Sequence, residues 1–504
     1  MNGDSKICIA IAPKSLSELN SLFADALALE PGFIEIRFDA MEPDELSASV
    51  KKTSEFTHLC RLIATFRPKA EGGSRELSDD ERKAFWLALP TDFWACDVEA
   101  DAVFWVEHEN KIVSRHDFEG VPGNIEGLFD ELSEFDCKAV KLAVAADDSV
   151  SAIPVWRTLL GASRGKREGK REAILIAMGD AGKWTRILAP SRGALLTYAS
   201  LDPKVATASG QVSAKELLDL YRVDEIDPST RIFGVIGDPI SQSLSPNIHN
   251  PLFQNAGLNA VFVPFLVKDL RGFIDRFVRP KTEECGLVFG GLSVTMPHKI
   301  AIIEMLDEID DSAACVGAVN TVKLDAGKLI GYNTDAAGFL TPLKARLPDL
   351  KGTHVAILGA GGAARACLSA LRDEGADVTI FARDPAKARA LSTKLKFEVA
   401  DIQAANDLAA FDVVVNATPI GMRGEFEHLS PVPEAALHAG QVVFDLVTKL
   451  SDTPLLAAAR TAGAFVIPGV EMLISQGLKQ FEIWTGEKGD EQLVRDSLAE
   501  KMAL

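Results

Sequence analysis

Residues Ile232 to Asn250 read IFGVIGDPISQSLSPNIHN: an apolar run of strand character, a Gly-Asp-Pro turn, then two hydroxyls two residues apart, Ser243 and Ser245. In an extended segment, side chains at i and i+2 point the same way. Two serines so placed offer paired hydrogen bonds to a carboxylate or a hydroxylated ring; a turn with spare serines would look the same. Downstream, in order, stand Ser293-Val-Thr-Met-Pro-His-Lys299, Gly317-Ala-Val-Asn-Thr321 and Gly331-Tyr-Asn-Thr-Asp335. Further on, the strand-like Thr353-His-Val-Ala-Ile-Leu358 runs into Gly359-Ala-Gly-Gly-Ala-Ala364, with later apolar runs at 377–381, 413–415 and 442–447. A glycine-rich turn between strand and helix, repeated strands following, predicts a parallel, doubly wound nucleotide-binding domain.

Upstream the pattern differs. Eight short apolar runs (ICIAIA, FIEIRF, RLIATF, FWACDVE, KIVSRH, AVKLAV, AILIAM, LLTYAS) are separated by helix-like segments over the first 200 residues. That alternation predicts a (β/α)₈ TIM barrel, so the fold class is α/β in both halves. The polar stretch Val223 to Thr230 reads as a short tether between them. The expected division is 1–224 for the barrel, 231–338 with 471–504 for a substrate domain, and 339–470 for the Rossmann domain. The segment from Gly469 to Trp484 reads as an amphipathic helix.

A chain of 504 residues exceeds one core, and 47% hydrophobic with 25% charged residues is ordinary for a soluble globular protein. The net charge of −19 argues against a nucleic-acid partner. The basic run Arg164 to Arg171 reads as a solvated loop. Seven scattered cysteines without a C-x-x-C pair fit a reducing compartment. No apolar run is long enough for a bilayer, and the N-terminus enters a strand at once, so a cytoplasmic enzyme without membrane association is expected. No His/Cys/Asp cluster has ligand spacing, so no metal is expected.

Polar groups recur near the predicted barrel strand ends, where this fold places its chemistry. They are Glu35, Arg37, Arg67, Glu71, Asp97, Glu99, His116, Lys141, Arg186 and Gln211. A lysine inside AVKLAV is costly unless paired or neutral. A lysine in a desolvated pocket can form a Schiff base with a ketone, and a nearby histidine can move the α-proton.

This set resembles the type I 3-dehydroquinate dehydratases. The resemblance implies Lys141 as the imine lysine, His116 as general acid/base and Glu71 as its orienting partner. Glu35, Arg37, Arg67, Arg186, Thr207 and Gln211 would contact substrate. The family loop Ser-Ala-Pro-Gly-Gln is here Thr207-Ala-Ser-Gly-Gln211, without the proline that fixes φ.

The motifs after Ile232 resemble shikimate dehydrogenase. That resemblance implies Lys299 as the proton donor and acceptor at the carbinol oxygen and Asp335 as its partner. Ser243, Ser245, Thr295, Asn320 and Gln476 would bind the ring hydroxyls and carboxylate, with His249 and His298 as local fixtures. Gly359, Ala360, Gly361, Gly362, Ala363, Leu446 and Gly469 would hold the cofactor. Arg383, at the next strand end, can pair with a 2′-phosphate, with Lys387 one turn on. NADP is the expected cofactor, although Asp384 leaves NAD as the second choice. The family's usual tyrosine is replaced by Thr448, leaving a gap that water or Lys449 could fill.

The two resemblances together imply a bifunctional shikimate-pathway enzyme taking 3-dehydroquinate through 3-dehydroshikimate to shikimate, in aromatic amino acid biosynthesis. Two alternatives stay open at this level. One is a quinate/shikimate dehydrogenase serving quinate breakdown; the other is a catalytically dead ligand sensor.

Overall fold

The computed structural model describes residues 5–164, 171–202, 208–279, 284–386, 388–389, 397–449 and 452–503. They fall into two compact units: residues 1–243 with 259–289, and residues 244–258 with 290–504.

In the first unit the eight apolar runs form parallel strands: β1 (Ile7–Ile11), β2 (Phe33–Arg37), β3 (Arg61–Thr65), β4 (Ala95–Glu99), β5 (Lys111–Asp117), β6 (Ala139–Ala145), β7 (Glu172–Met178) and β8 (Thr197–Ser200). Their order in the sheet is β7-β6-β5-β4-β3-β2-β1-β8. A two-residue strand, β9 (Val212–Ser213), extends it beside β8; a strand that short leaves no pattern in the sequence. Cys8, Phe33, Ile63, Ile112, Ile174 and Tyr198, from six different strands, share one buried cluster. A flat sheet would keep them apart, so this sheet curls around its own interior. Leu195 N donates to Ala173 O at 3.0 Å, joining the start of β7 to the chain entering β8. The connecting helices begin where the sequence supplies caps; Ser78 and Glu81, for example, form a reciprocal capping box on the helix Asp79–Ala88.

The stretch 223–230 is not a loose tether. The Asp227 carboxylate accepts from the amides of Ser229 and Thr230 at 2.6 and 3.1 Å. Arg192 donates to the carbonyls of Asp227 and Pro228. The chain then enters β10 (Arg231–Gly237), paired in parallel with β11 (Ala260–Leu266). This pair belongs to the barrel's own compact unit. Trp184 lies 6.0 Å from the ring of Phe265 and 5.1 Å from that of Phe277. Trp156 donates its indole N–H to Cys285 O at 2.8 Å, and Ser149 N donates to Leu266 O at 2.8 Å. Phe265, Leu266, Phe277 and Cys285 thereby cover one outer face of the barrel.

In the second unit β12 (Val288–Val294) pairs antiparallel with β14 (Thr321–Asp325), which pairs antiparallel with β15 (Lys328–Tyr332). The short β13 (Glu308–Ile309) runs parallel to β15. The nucleotide-binding sheet follows, with β16 (His354–Leu358), β17 (Asp377–Ala382), β18 (Glu398–Asp401), β19 (Val413–Asn416), β20 (Val442–Asp445) and β21 (Phe465–Ile467). Its order, β18-β17-β16-β19-β20-β21, all parallel, reverses direction at β16. A doubly wound sheet opens its ligand crevice at such a switch point.

The helix Gly469–Thr485 returns against the strands of this unit, with Trp484 donating to Val322 O at 3.0 Å. A Cβ on Gly338 would come within 2.6 Å of Gln476 Cβ, so glycine is what lets the helices Asp335–Arg346 and Gly469–Thr485 approach this closely.

Candidate active sites

The barrel encloses a cavity of about 390 Å³ lined by Glu35, Arg67, Glu71, His116, Lys141 and Arg186, together with Arg37, Tyr198 and Gln211. Alternation along β2, β4 and β6 turns Glu35, Asp97 and Lys141 into the interior. Lys141 Nζ donates to Asp97 at 2.6 Å and stands 3.8 Å from Glu35. Arg67 donates to Asp97 at 2.7 Å and to Glu99 at 3.3 Å. Burial alone would raise the Asp97 carboxyl, but Arg67 and Lys141 beside it hold it well below the usual carboxylate range. Glu99 is pushed up to about 6, chiefly by burial and then against the opposing pull of Arg67.

The tautomer of His116 follows from its neighbours. A guanidinium can only donate, and Arg67 Nη1 lies 2.7 Å from His116 Nε2, so Nε2 carries the lone pair. The proton then sits on Nδ1 and is donated to Glu71 at 3.1 Å. Glu71 also accepts the His116 amide at 2.7 Å, which fixes the pair. Burial first, then the cations Arg67 and Lys141, lower the imidazole well below its ordinary range and keep it neutral.

Arg186 differs from the other cavity cations. Arg37 is paired with Asp39 at 2.9 Å and Arg67 and Lys141 with Asp97, whereas among the described residues Arg186 meets no carboxylate. Among the described residues it donates one hydrogen bond, to Ser209 O at 3.5 Å, and its buried Nε meets no acceptor; burial lowers it to about 10.

In the second unit Lys299 Nζ donates to Asp335 Oδ2 at 2.6 Å, and Asn320 Nδ2 donates to Asp335 Oδ1 at 2.8 Å. Asp335 opens the helix Asp335–Arg346, with its amide donating to Asn333 Oδ1 at 3.0 Å. Gln476 Oε1 accepts from Asn320 at 3.5 Å. Thr295 follows β12 directly and is half-buried, and Ser245 is the first residue of the helix Ser245–Asn255.

Beneath this group, buried His249 donates from Nε2 to Gln480 Oε1 at 3.1 Å, and burial lowers it to about 3. In the unfolded chain the imidazole titrates near its ordinary value of about 6.5. Its contribution is therefore complete above that pH and is lost as the pH falls towards 3, on the order of 3–5 kcal/mol. Denaturant midpoints measured from pH 7 to 4 are expected to fall more steeply for wild type than for His249→Gln; parallel curves would remove His249 from the account of acid sensitivity.

The loop after β16 fits a pyrophosphate. Gly359 has φ +107° and lies against Ala417 O, so a side chain there is excluded; at Gly361 and Gly362 an added Cβ would meet no protein atom. The helix Gly362–Asp373 starts at this open space and turns its amides to it. Ala360 and Ala363 flank the glycines. Gly469 packs against Val447 O, next to Leu446, which holds both near the end of β20. Arg383 is exposed at the end of β17.

Family comparisons match four stretches of the chain. Residues 7–228 match the type I 3-dehydroquinase model, 235–322 the shikimate dehydrogenase substrate binding domain, 342–430 the shikimate/quinate 5-dehydrogenase and 469–499 the shikimate 5′-dehydrogenase C-terminal domain. The chain is 30% identical over 522 aligned residues to the chloroplastic bifunctional 3-dehydroquinate dehydratase/shikimate dehydrogenase of Arabidopsis thaliana, covering 97% of this chain and 83% of that protein. The chain belongs to this bifunctional family.

The dehydrogenase half alone is 39% identical to the shikimate dehydrogenase (NADP(+)) of Methanothermobacter thermautotrophicus, over 54% of this chain and 97% of that protein. A crystal structure of shikimate dehydrogenase in complex with NADP+ superposes with a TM-score of 0.51 at 36% identity, over 55% of this chain and 97% of that one. The Aquifex aeolicus shikimate dehydrogenase gives 0.50, also at 36%, over 54% and 99%.

Several family residues stand differently from the sequence-based expectation. Ser243 and Ser245 are not in an extended segment: Ser243 N closes a turn onto Ile240 O at 3.0 Å, and Ser245 begins a helix. Arg186 lies on the helix Lys183–Leu188, not at a strand end. Lys449 pairs with Glu427 at 2.8 Å. Thr207, Lys387 and residues 165–170 of the basic run lie outside the described residues. Gln211 lines the cavity.

The structure adds partners that the sequence did not single out. Asp97 joins Lys141 to Arg67, Asp39 takes Arg37, and Gln480 ties His249 to Ser293 at 2.8 Å. Asp97 and Glu99 were visible as charges two apart in β4, but nothing local distinguishes which one meets a lysine 44 residues away.

Among the described residues no helix is long and apolar enough to cross a membrane. No described group of three or more His, Cys, Asp or Glu side chains is placed to hold a metal ion.

Proposed function

We propose that the barrel dehydrates 3-dehydroquinate to 3-dehydroshikimate through an imine on Lys141, and that Lys299 and Asp335 serve the reduction of 3-dehydroshikimate to shikimate. The observation that carries the first half is Arg186, a buried guanidinium that meets no carboxylate among the described residues, in the cavity that holds Lys141 and His116. Such a group favours an anionic ligand, and a substrate carboxylate supplies one bidentately.

With the carboxylate on Arg186, the substrate ketone shares the cavity with Lys141. Once Nζ has lost a proton its lone pair adds to the ketone carbon, and water leaves to give an iminium. The iminium draws electrons from the adjacent carbon. His116 takes the α-proton on Nε2, after Arg67 has released that nitrogen, and passes it to the hydroxyl that departs as water. Glu71 holds Nδ1–H throughout. Hydrolysis of the iminium restores Lys141. Glu35, Arg37, Arg67, Thr207 and Gln211 complete the contacts to substrate.

The test is borohydride reduction. Added together with 3-dehydroquinate, it should leave a secondary amine on Lys141, located by peptide mass mapping. Inactivation that needs no substrate, or a label elsewhere, would sink the imine assignment.

In the second unit NADPH, when bound, supplies the hydride. Lys299 gives a proton to the carbonyl oxygen as the carbinol forms, and Asp335 holds the lysine in place. Ser243, Ser245, Thr295, Asn320 and Gln476 bind the ring substituents. Gly359 to Ala363 would hold the pyrophosphate, Leu446 and Gly469 would add cofactor contacts, and Arg383 would pair with a 2′-phosphate.

A charge-assisted bond of this kind contributes about 1.5–3 kcal/mol. Arg383→Ala is therefore expected to weaken NADP by roughly ten- to hundredfold with NAD almost unaffected, read by titration of the protein with each nucleotide. Equal losses for both would mean that Arg383 supports the loop only. We place the enzyme in the cytoplasm, on the support of seven unpaired cysteines.

A further inference from the structure

Tyr198 takes no part in the proton and bond changes of the dehydration, yet its ring lies against the Lys141 nitrogen. Its position on β8 turns it into the barrel interior beside Phe33, Ile63 and Ile174, and it lines the cavity. Lys141 Nζ lies over its ring, 4.0 Å from the centroid. Its hydroxyl is buried and has no hydrogen-bond partner among the described residues. A hydrogen bond therefore does not explain the residue; the face it offers to a cation does. An aromatic face attracts a cation through its quadrupole, more strongly where water is excluded.

We propose that the ring of Tyr198 is a positioning element of the dehydratase site that holds the Lys141 nitrogen in its cationic iminium form while His116 removes the α-proton. This rests on the reading of Lys141 as the imine lysine. The chemistry needs such a device. Only the protonated imine withdraws electrons strongly enough to loosen the neighbouring C–H; a neutral imine is a poor sink. The ammonium of the free enzyme has three N–H donors and meets Asp97 at 2.6 Å, with Glu35 at 3.8 Å. The iminium keeps one N–H, so its hold on these carboxylates weakens. Contact with the ring needs no donor and survives the change.

Other charged and titratable groups act on the same nitrogen from every side: Asp97 on β4, Glu35 on β2, Cys8 on β1, Arg67 beyond β3 and His116 on β5. Arg67 opposes the positive charge, the carboxylates favour it, and neutral His116 and the buried thiol leave it unchanged. The ring adds to the carboxylates' side without introducing a titrating group of its own, because burial raises the phenol well above its ordinary range.

The experiment replaces Tyr198 by Phe and by mono-, di- and trifluorinated phenylalanines in the full-length enzyme. Fluorine withdraws ring electron density while keeping the shape, so packing is preserved across the series. Tyr198→Phe, which keeps the ring, is the reference of the series and should not lower the thermal midpoint, since the lost hydroxyl has no partner among the described residues. Progressive fluorination should move the alkaline limb of the dehydratase kcat to lower pH, by about half to one pH unit in total, and reduce borohydride labelling of Lys141 in step.

A flat response across the fluorinated series, with Lys141 still labelled, overturns the role of the ring and leaves the imine reading intact. A shift already complete in Tyr198→Phe overturns it also, in favour of the hydroxyl. Absence of Lys141 labelling in wild type removes the imine reading and this inference with it.

Discussion

Replacing Lys141 with alanine is expected to reduce dehydratase turnover by about 10⁴-fold or more while shikimate oxidation by the same protein stays at its wild-type rate. The size follows from covalent catalysis: without the amine no iminium forms, and the α-proton of a plain ketone is far less acidic. The variant should fold. Asp97, which loses Lys141, keeps Arg67 at 2.7 Å, so no buried carboxylate is left alone. Parallel assays of both activities on one preparation provide the check. Loss of both in a folded protein would contradict two separate sites.

The mirror-image change is Asp335→Asn, expected to lower dehydrogenase turnover by about 10²–10⁴-fold with the dehydratase unaffected. The carboxylate accepts from Lys299 on one oxygen and from Asn320 on the other. An amide has only one acceptor end, so whichever way it turns, an N–H₂ faces another donor. Lys299 loses either its partner or its position. A steady-state comparison at saturating substrate and cofactor reads the loss in kcat. Full activity in the variant would mean that Lys299 is held by something other than Asp335.

Much of this was legible in the chain, for identifiable reasons. The eight barrel strands were readable because parallel strands covered on both sides are nearly pure apolar runs, and the charges within them, Glu35, Asp97 and Lys141, stood out against that background. Gly359 to Ala364 was readable because a glycine-rich turn between a strand and a helix is a local pattern, and at Gly359 the positive φ itself favours glycine. The pairing of charges was not readable. Lys141 could have met Glu35, Asp97, Glu99 or none of them, and only the curl of the sheet selects Asp97. Ser243 and Ser245 misled because their spacing carries meaning only if the backbone is extended, and the turn onto Ile240 is set by bonds that leave no periodic mark. Arg186 was found for its residue type and misplaced in its element, since WTRIL has the apolar content of a strand and the structure of a helix.

The covered outer face of the barrel has a consequence for how this protein is made. All eight main strands have been synthesised once Ser200 is in the chain, but the face bearing Trp156 and Trp184 stays uncovered until the stretch through Phe289 has followed. At ordinary elongation rates of about 5–20 residues per second, that leaves the nascent barrel with a bare aromatic surface for roughly 5–20 s on the ribosome. The border between the two chemistries and the point at which this aromatic face is covered thus fall at different places in the gene. A stop codon near residue 228 would release a barrel that holds Lys141 with its Trp156 and Trp184 face still bare, while one placed after residue 289 would cover that face but cut β12 two residues in.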